Sequence, residues 1–234
     1  MEQIRIDKFL SKQLNISRSQ VKQILKSGRV NVNDNFVYRG EDKIDPDSAQ
    51  VFVDGQAVNY SKNVYIMLNK PKGILSASND KNRRTVIDLI PEEMKRQGLF
   101  PVGRLDKDTT GLLIITDDGE YAHKIISPKN KTGKVYIAEL DGSLSDDMID
   151  AFKSGVTLAD GTKCRPSKLE IIDSTKAKLT LFDGKYHQVK RMFGVFGLGV
   201  LELHREAIGE LYLPKDLKTG ECRCLDDFDI KKTL

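Results

Sequence analysis

Residues 101–119, PVGRLDKDTTGLLIITDDG, place a polar loop directly before an unbroken apolar run and close it with an acidic turn. The run Leu112-Leu113-Ile114-Ile115 reads as a buried strand. Arg104, Asp106 and Asp108 stand in the loop just ahead of it. A loop held by a rigid strand is a usual place for chemistry. Taken alone, an aspartate beside threonines is a turn former, so the rest of the chain has to decide between the two readings.

Working outward, strand-like runs at residues 64–68, 111–116, 135–140 and 178–182 alternate with helical patterns at 120–126 and 146–154. That mixture predicts an α+β domain with a mixed or antiparallel sheet over residues 60–234. No repeat of solenoid period breaks it up.

The first 59 residues read as a separate small module. Ser17 has the spacing of a helix N-cap with Gln20 three residues on, Val21, Ile24 and Leu25 follow at helical intervals, and Gly28 is a plausible stop. A preceding helix at 6–14 turns Phe9 and Leu10 inward, and Val30-Asn31-Val32-Asn33 alternates like a strand. Arg18, Lys22 and Lys26 recur every four residues with Arg29 just beyond, away from the apolar positions. Such a stripe is either a solvated face or a surface for phosphates. The module closes near residues 51–53, and 59–63 read as a linker or as the first turn of the next domain, with the boundary near Tyr60.

Composition narrows the classes. At 234 residues, 39% hydrophobic and 31% charged, the chain can bury a real core. A net charge of +4 is only mildly basic. Its distribution is uneven: residues 1–33 hold seven Lys or Arg against Glu2 and Asp7, whereas 34–58 hold six acids against Arg39 and Lys43. Charges at Glu2, Arg5, Asp7 and Lys8 interrupt any signal-like apolar stretch, so a soluble cytoplasmic protein is expected, by default a monomer. Cys164, Cys222 and Cys224 are an odd set without a fourth ligand at zinc-like spacing, and they read as reduced structural thiols; no metal is expected.

Four ordered segments carry a resemblance. Gly103-Arg104-Leu105-Asp106 followed by Thr110-Gly111-Leu112 resembles the active-site loop of pseudouridine synthases, with Asp106 where their essential aspartate stands. LNKPKG at 68–73, KVY at 134–136 and GKYHQVKRMF at 184–193 agree in order. The N-terminal stretch resembles the small RNA-binding fold named after ribosomal small-subunit protein four. Together these look like the RsuA branch, and YHQVKRMF and ELHREAIG look more like its small-subunit ribosomal RNA type than its large-subunit relatives.

The resemblance implies isomerisation of uridine to pseudouridine in ribosomal RNA, with no cofactor, since cutting the bond from ribose to base and rejoining it through carbon consumes no outside reactant. Asp106 would be the ionised carboxylate, attacking the sugar or removing a proton from it. Lys190, with Arg191 in reserve, would supply the cation that pairs with Asp106. Tyr136 would stack on the target base; by itself it is an ordinary strand tyrosine. Arg104 would stabilise the gap left by the extruded base, a salt bridge to Asp108 being its alternative. Arg18, Lys22, Lys26, Arg29, Arg104 and Arg191 would contact the RNA, free or in a partly assembled small ribosomal subunit. Three rivals remain: a synthase acting on large-subunit ribosomal RNA, a ribosome-assembly or RNA-binding factor without turnover, and, last, a hydrolase using Asp106 with Asp108. As to the hydrolase, two carboxylates alone do not define a site, and no histidine or metal set accompanies them.

Overall fold

The computed structural model describes residues 3–234, so Met1 and Glu2 of the N-terminal reading lie outside it. The chain divides into two compact units, one running through Val64 and including Glu93–Gly98, the other formed by Tyr65–Glu92 and Leu99–Leu234.

In the first unit α1 (Ile6–Gln13) is followed by α2 (Arg18–Lys26). The Ser17 side chain accepts a hydrogen bond from the Gln20 amide, and the Gln20 side chain accepts one from the Ser17 amide, so both ends of the capping box are closed. Gly28, just past the helix, has φ +67°, the left-handed turn that a glycine stop permits. A two-stranded ribbon pairs β1 (Ile4–Arg5) with β4 (Lys43–Ile44). A four-stranded antiparallel sheet has the order β3 (Asn35–Phe36), β2 (Val30–Val32), β5 (Val51–Val53), β6 (Gln56–Ala57). Ile6, Phe9, Leu10, Val21, Leu25, Val30 and Val51 form its core.

Two local readings change. The sheet continues past residue 53 into β6. The segment read as a linker is fastened to α1: Ser61 and Gln13 exchange two hydrogen bonds of 3.2 Å, and Tyr60 stacks on Phe9. Arg18, Lys22, Lys26 and Arg29 are all exposed, but the Arg29 fork is engaged by the Asp54 carboxylate.

The second unit is built on one nine-stranded sheet. Its main path runs β11 (Lys168–Ile171), β12 (Lys176–Leu181), β10 (Lys134–Leu140), β13 (Val200–Ile208), β9 (Thr110–Thr116), β7 (Tyr65–Lys70), β15 (Cys222–Cys224), with β14 (Leu211–Tyr212) on β13 and β8 (Phe100–Pro101) on β9. Leu112 to Ile115 in β9 are fully buried, which is why the run is apolar without alternation. Asp118 ends that run by capping α3 (Gly119–Ile126), accepting a hydrogen bond from the Tyr121 amide. α3 covers one half of the sheet, with Tyr121 and Ile125 over Leu112 and Ile114. α4 (Asp147–Ser154) and α5 (Gln188–Gly194) cover the other, with Phe152, Met192 and Phe193 packed against Leu179.

The halves meet at the single parallel ladder among the described residues, β13 with β9, registered as His204 with Thr110 and Arg205 with Gly111. Gly111 has φ +102°, and a Cβ there would lie 2.3 Å from the Arg205 carbonyl oxygen and 2.8 Å from its amide nitrogen. Only glycine lets the strands approach so closely. Gly111→Ala is therefore expected to lower stability by about 3 kcal/mol or to prevent folding. Gly119→Ala, at an open helix start, is expected to stay within about 0.5 kcal/mol of wild type in urea denaturation.

Candidate active site

The loop ahead of β9 is polar, and polar backbone near a core must find internal partners. Lys70, at the end of β7, supplies two of them and also meets the carbonyl of its own neighbour Pro71. Its side chain is fully buried, and its ammonium donates to the carbonyls of Pro71 (3.0 Å), Lys107 (3.3 Å) and Thr109 (2.9 Å). Burial pulls its pKa from 10.5 down to about 8, partly offset by the attraction of Asp108 and Asp106. Two further ties hold the loop: Ser76 Oγ donates to the Leu105 carbonyl and accepts from the Leu105 amide, and the Gly73 amide donates to the Lys107 carbonyl. Thr110 Oγ1 lies 2.9 Å from His204 Nδ1, which accounts for that histidine as a half-buried, hydrogen-bonded group whose pKa burial lowers.

Asp106 stands on the wall between two cavities. One, of about 680 Å³, is lined by Arg104, Asp106, Tyr136, His187, Lys190 and Arg205 among others, with Leu181, Val189, Leu203 and Ile208 as apolar surface. The other, of about 900 Å³, shares Arg104, Asp106, Tyr186, His187 and Lys190 and adds Lys72, Arg83 and Lys107. The first has the size and mixed lining of a small-molecule pocket. The second is a groove beside it, where five Lys or Arg side chains face Asp80, Asp106 and Asp108.

The structure thus gathers Asp106, Tyr136, Lys190 and Arg104 at one cavity, but it revises the expected pairing. Lys190 Nζ donates to Asp108 Oδ2 at 2.5 Å, and Arg191 pairs with Asp160 at 2.5 Å. Neither pairs with Asp106. The cause is helical geometry: Lys190 and Arg191 are successive residues in the first turn of α5, about 100° apart around its axis, so they face different loops. The ion pair with Lys190 holds the Asp108 carboxyl below its usual range. The side chain set against Asp106 is instead His187, its Nε2 at 3.5 Å from Asp106 Oδ1. His187 sits at φ +47°, immediately before α5, and its ring stacks on Tyr186 at 3.8 Å. Arg104 is exposed and makes no ion pair among the described residues, so the alternative bridge to Asp108 is not formed.

Sequence reasoning gave no role to Lys70, His187 or Arg205. Lys70 lay within a quoted motif, yet nothing in LNKPKG says that its amine turns inward. Arg205 lies on β13, opposite Tyr136 of β10, with its guanidinium carbon 6.0 Å from that ring's centre.

Residues 64–194 match the family model described as RNA pseudouridylate synthase, and residues 4–46 match the S4 domain. The chain belongs to the RNA pseudouridylate synthase family. A Bacillus subtilis relative, an uncharacterized RNA pseudouridine synthase, is 39% identical over 232 residues, covering 97% of each chain. The ribosomal small subunit pseudouridine synthase A of Escherichia coli K12 is 38% identical, covering 99% of this chain and 100% of the relative. That of Yersinia pestis is 40% identical over 97% of each. A crystal structure of a pseudouridylate synthase superimposes with a TM-score of 0.69 at 33% identity, covering 99% of this chain and all of the other. The chain is accordingly an RNA-modifying isomerase of this family with an RNA-binding S4 domain ahead of its synthase domain.

Lys134, half-buried on the cavity wall, also has its pKa lowered to about 8, by burial and by Arg205. Lys70 meets its three carbonyls as an ammonium, yet burial lowers its pKa from 10.5 to about 8, so the folded chain holds that proton less tightly than the unfolded chain does. Stability is therefore gained, not lost, as pH rises from about 8 toward 10.5. Urea denaturation across that range is expected to show the gain in wild type and not in Lys70→Met. Parallel pH profiles for the two proteins contradict this account of the buried ammonium.

Proposed function

We propose that this chain isomerises a uridine of small-subunit ribosomal RNA to pseudouridine, with Asp106 acting on the ribose of an extruded nucleotide. The supporting observation is the placing of Asp106 on a wall shared by a partly apolar pocket and a neighbouring groove rich in lysine and arginine, a shape suited to a flipped base and to the strand it leaves. Relatives named for the small ribosomal subunit, alike over nearly the whole chain, support that choice of RNA.

In this reading the base enters the pocket against Tyr136, whose ring offers a stacking face. Arg104 sits at the mouth of both cavities and occupies the space the base vacates. Lys190 works through Asp108: by clamping the far end of the loop it fixes Asp106 relative to the pocket, while His187 lies against the Asp106 carboxylate. A displacement of about 1 Å at a reacting group costs on the order of 100-fold in rate, so such bracing matters. The stripe of Arg18, Lys22 and Lys26 binds phosphates and adds affinity without choosing a sequence. Arg29 and Arg191 contribute less, because Asp54 and Asp160 already hold them. The protein acts as a cytoplasmic monomer on small-subunit RNA, free or within a partly assembled particle.

Small-subunit RNA tritiated at carbon five of uridine tests the reaction, since isomerisation must expel that hydrogen. Wild type is expected to release tritium to water, and Asp106→Ala to lose more than about 10⁴-fold in rate while still binding the RNA. No release by wild type from free RNA or from partly assembled particles leaves a non-catalytic RNA-binding factor as the better reading.

The N-terminal stripe has its own test. Replacing Arg18, Lys22 and Lys26 together by alanine is expected to weaken RNA binding and to reduce the slope of log affinity against log salt by about 2, with the bound-state rate unchanged. Arg29→Ala is expected to change that slope by less than about 0.5.

A further inference from the structure

Arg205 is only 3% exposed. Its Nε donates to the Leu112 carbonyl at 2.8 Å, its Nη2 finds no hydrogen-bond partner, and no carboxylate lies within ion-pair range among the described residues. An unpaired buried cation is costly, and arginine cannot shed its charge to relieve the cost. The unpaired charge lies on the wall of the Asp106 cavity, directly across the strand pair from Tyr136. Lys134, on the same wall, is half-buried, its ammonium bonded to the carbonyls of Ile125 and Thr132. Five basic side chains line this cavity against two carboxylates, Asp106 and Asp183. Asp183 does not neutralise Arg205: one of its oxygens accepts from Gln188 Nε2, and the cation nearest the other is Lys185 at 3.9 Å.

We propose that Arg205, assisted by Lys134, is an electrostatic residue of the reaction, holding the negative charge of the uracil ring after it leaves the ribose. The inference rests on the reaction assigned above. When the C1′–N1 bond breaks heterolytically, its electron pair stays with the base and spreads over N1, O2 and O4. The sugar is satisfied at Asp106, either by a C1′–O bond to the carboxylate or by passing the C2′ proton to it. The detached ring carries one negative charge until C5 bonds to C1′, as the C1′–O bond to Asp106 breaks or Asp106 returns the C2′ proton; the C5 proton then leaves to water and N1 takes up a proton, giving the neutral product. A fixed cation in a low-dielectric pocket, set before the bond breaks, favours that state over the neutral nucleotide. Its position opposite Tyr136 places the charge at the ring on which the base stacks.

Arg205→Gln and Arg205→Lys both shorten the side chain and differ chiefly in charge, so their comparison isolates it. With tritiated RNA under single-turnover conditions, the glutamine variant is expected to lose about 10² to 10³ in rate while binding RNA as wild type does. The lysine variant is expected to stay within about tenfold of wild type. Equal losses in the two, or a glutamine variant within about threefold of wild type, overturn the proposal. Wild-type turnover alone decides the reaction; only the glutamine-to-lysine ratio decides Arg205. If the glutamine variant does not fold, wild type is titrated with 5-nitrouracil, a pyrimidine whose absorbance reports its ionisation. Binding that shifts its ionisation to lower pH supports the cationic wall, and no shift or no binding overturns it.

Discussion

The catalytic unit depends on one backbone contact, the approach of Gly111 to Arg205 where β9 and β13 run parallel. Parallel pairing over two residues contributes little by itself. Its importance is that it joins two antiparallel halves, each with its own hydrophobic cluster. The half ending in β9 carries the Asp106 loop. The half containing β10 and β13 carries Tyr136 and Arg205, with α5 packed on it. No site containing all of these exists until the ladder closes, and a side chain at residue 111 would hold the strands apart.

A second constraint acts on the loop. Its backbone lies against the sheet, where unpaired carbonyls are expensive, and Lys70 meets two of them, and the carbonyl of Pro71, with one buried ammonium. The lysine gains from the same arrangement, because Asp106 and Asp108 stand near enough to offset part of its desolvation. Charge balance around Asp106 is therefore distributed. Lys70 lies beneath it, His187 faces it, and Lys190 is held by Asp108. A direct ion pair would tie up the carboxylate, whereas this arrangement leaves it at the junction of pocket and groove.

Much of this was legible in the sequence for local reasons. Ser17 with Gln20 predicts its own capping box, and the apolar run from Leu112 to Ile115 predicts a buried strand. The α+β class follows from such segments. What escaped reading depends on direction rather than composition. Lys190 and Arg191 are equivalent as charges, and only the rotation of α5 sends one to Asp108 and the other to Asp160. Lys70 reads as a surface residue until three carbonyls converge on it. β13 escapes the reading although VLELHREAI is strand-like, because its charged residues mask how deeply the middle lies; Arg205 is buried there between His204 and Glu206, which are only partly buried.

Those charged residues follow from what the pocket must do. A pocket for a neutral pyrimidine needs only stacking surface and a few hydrogen bonds, and a guanidinium without a counterion would weaken the fold for no gain in binding. The cost becomes reasonable if the occupant's charge changes while it is bound. A cation that is too costly for the empty site, and only modestly useful to the intact nucleotide, is best matched to the detached base. Stabilisation of that kind lowers the barrier rather than deepening the bound ground state. The strain of an unpaired Arg205 is then borne by the whole sheet, which the Gly111 ladder holds closed.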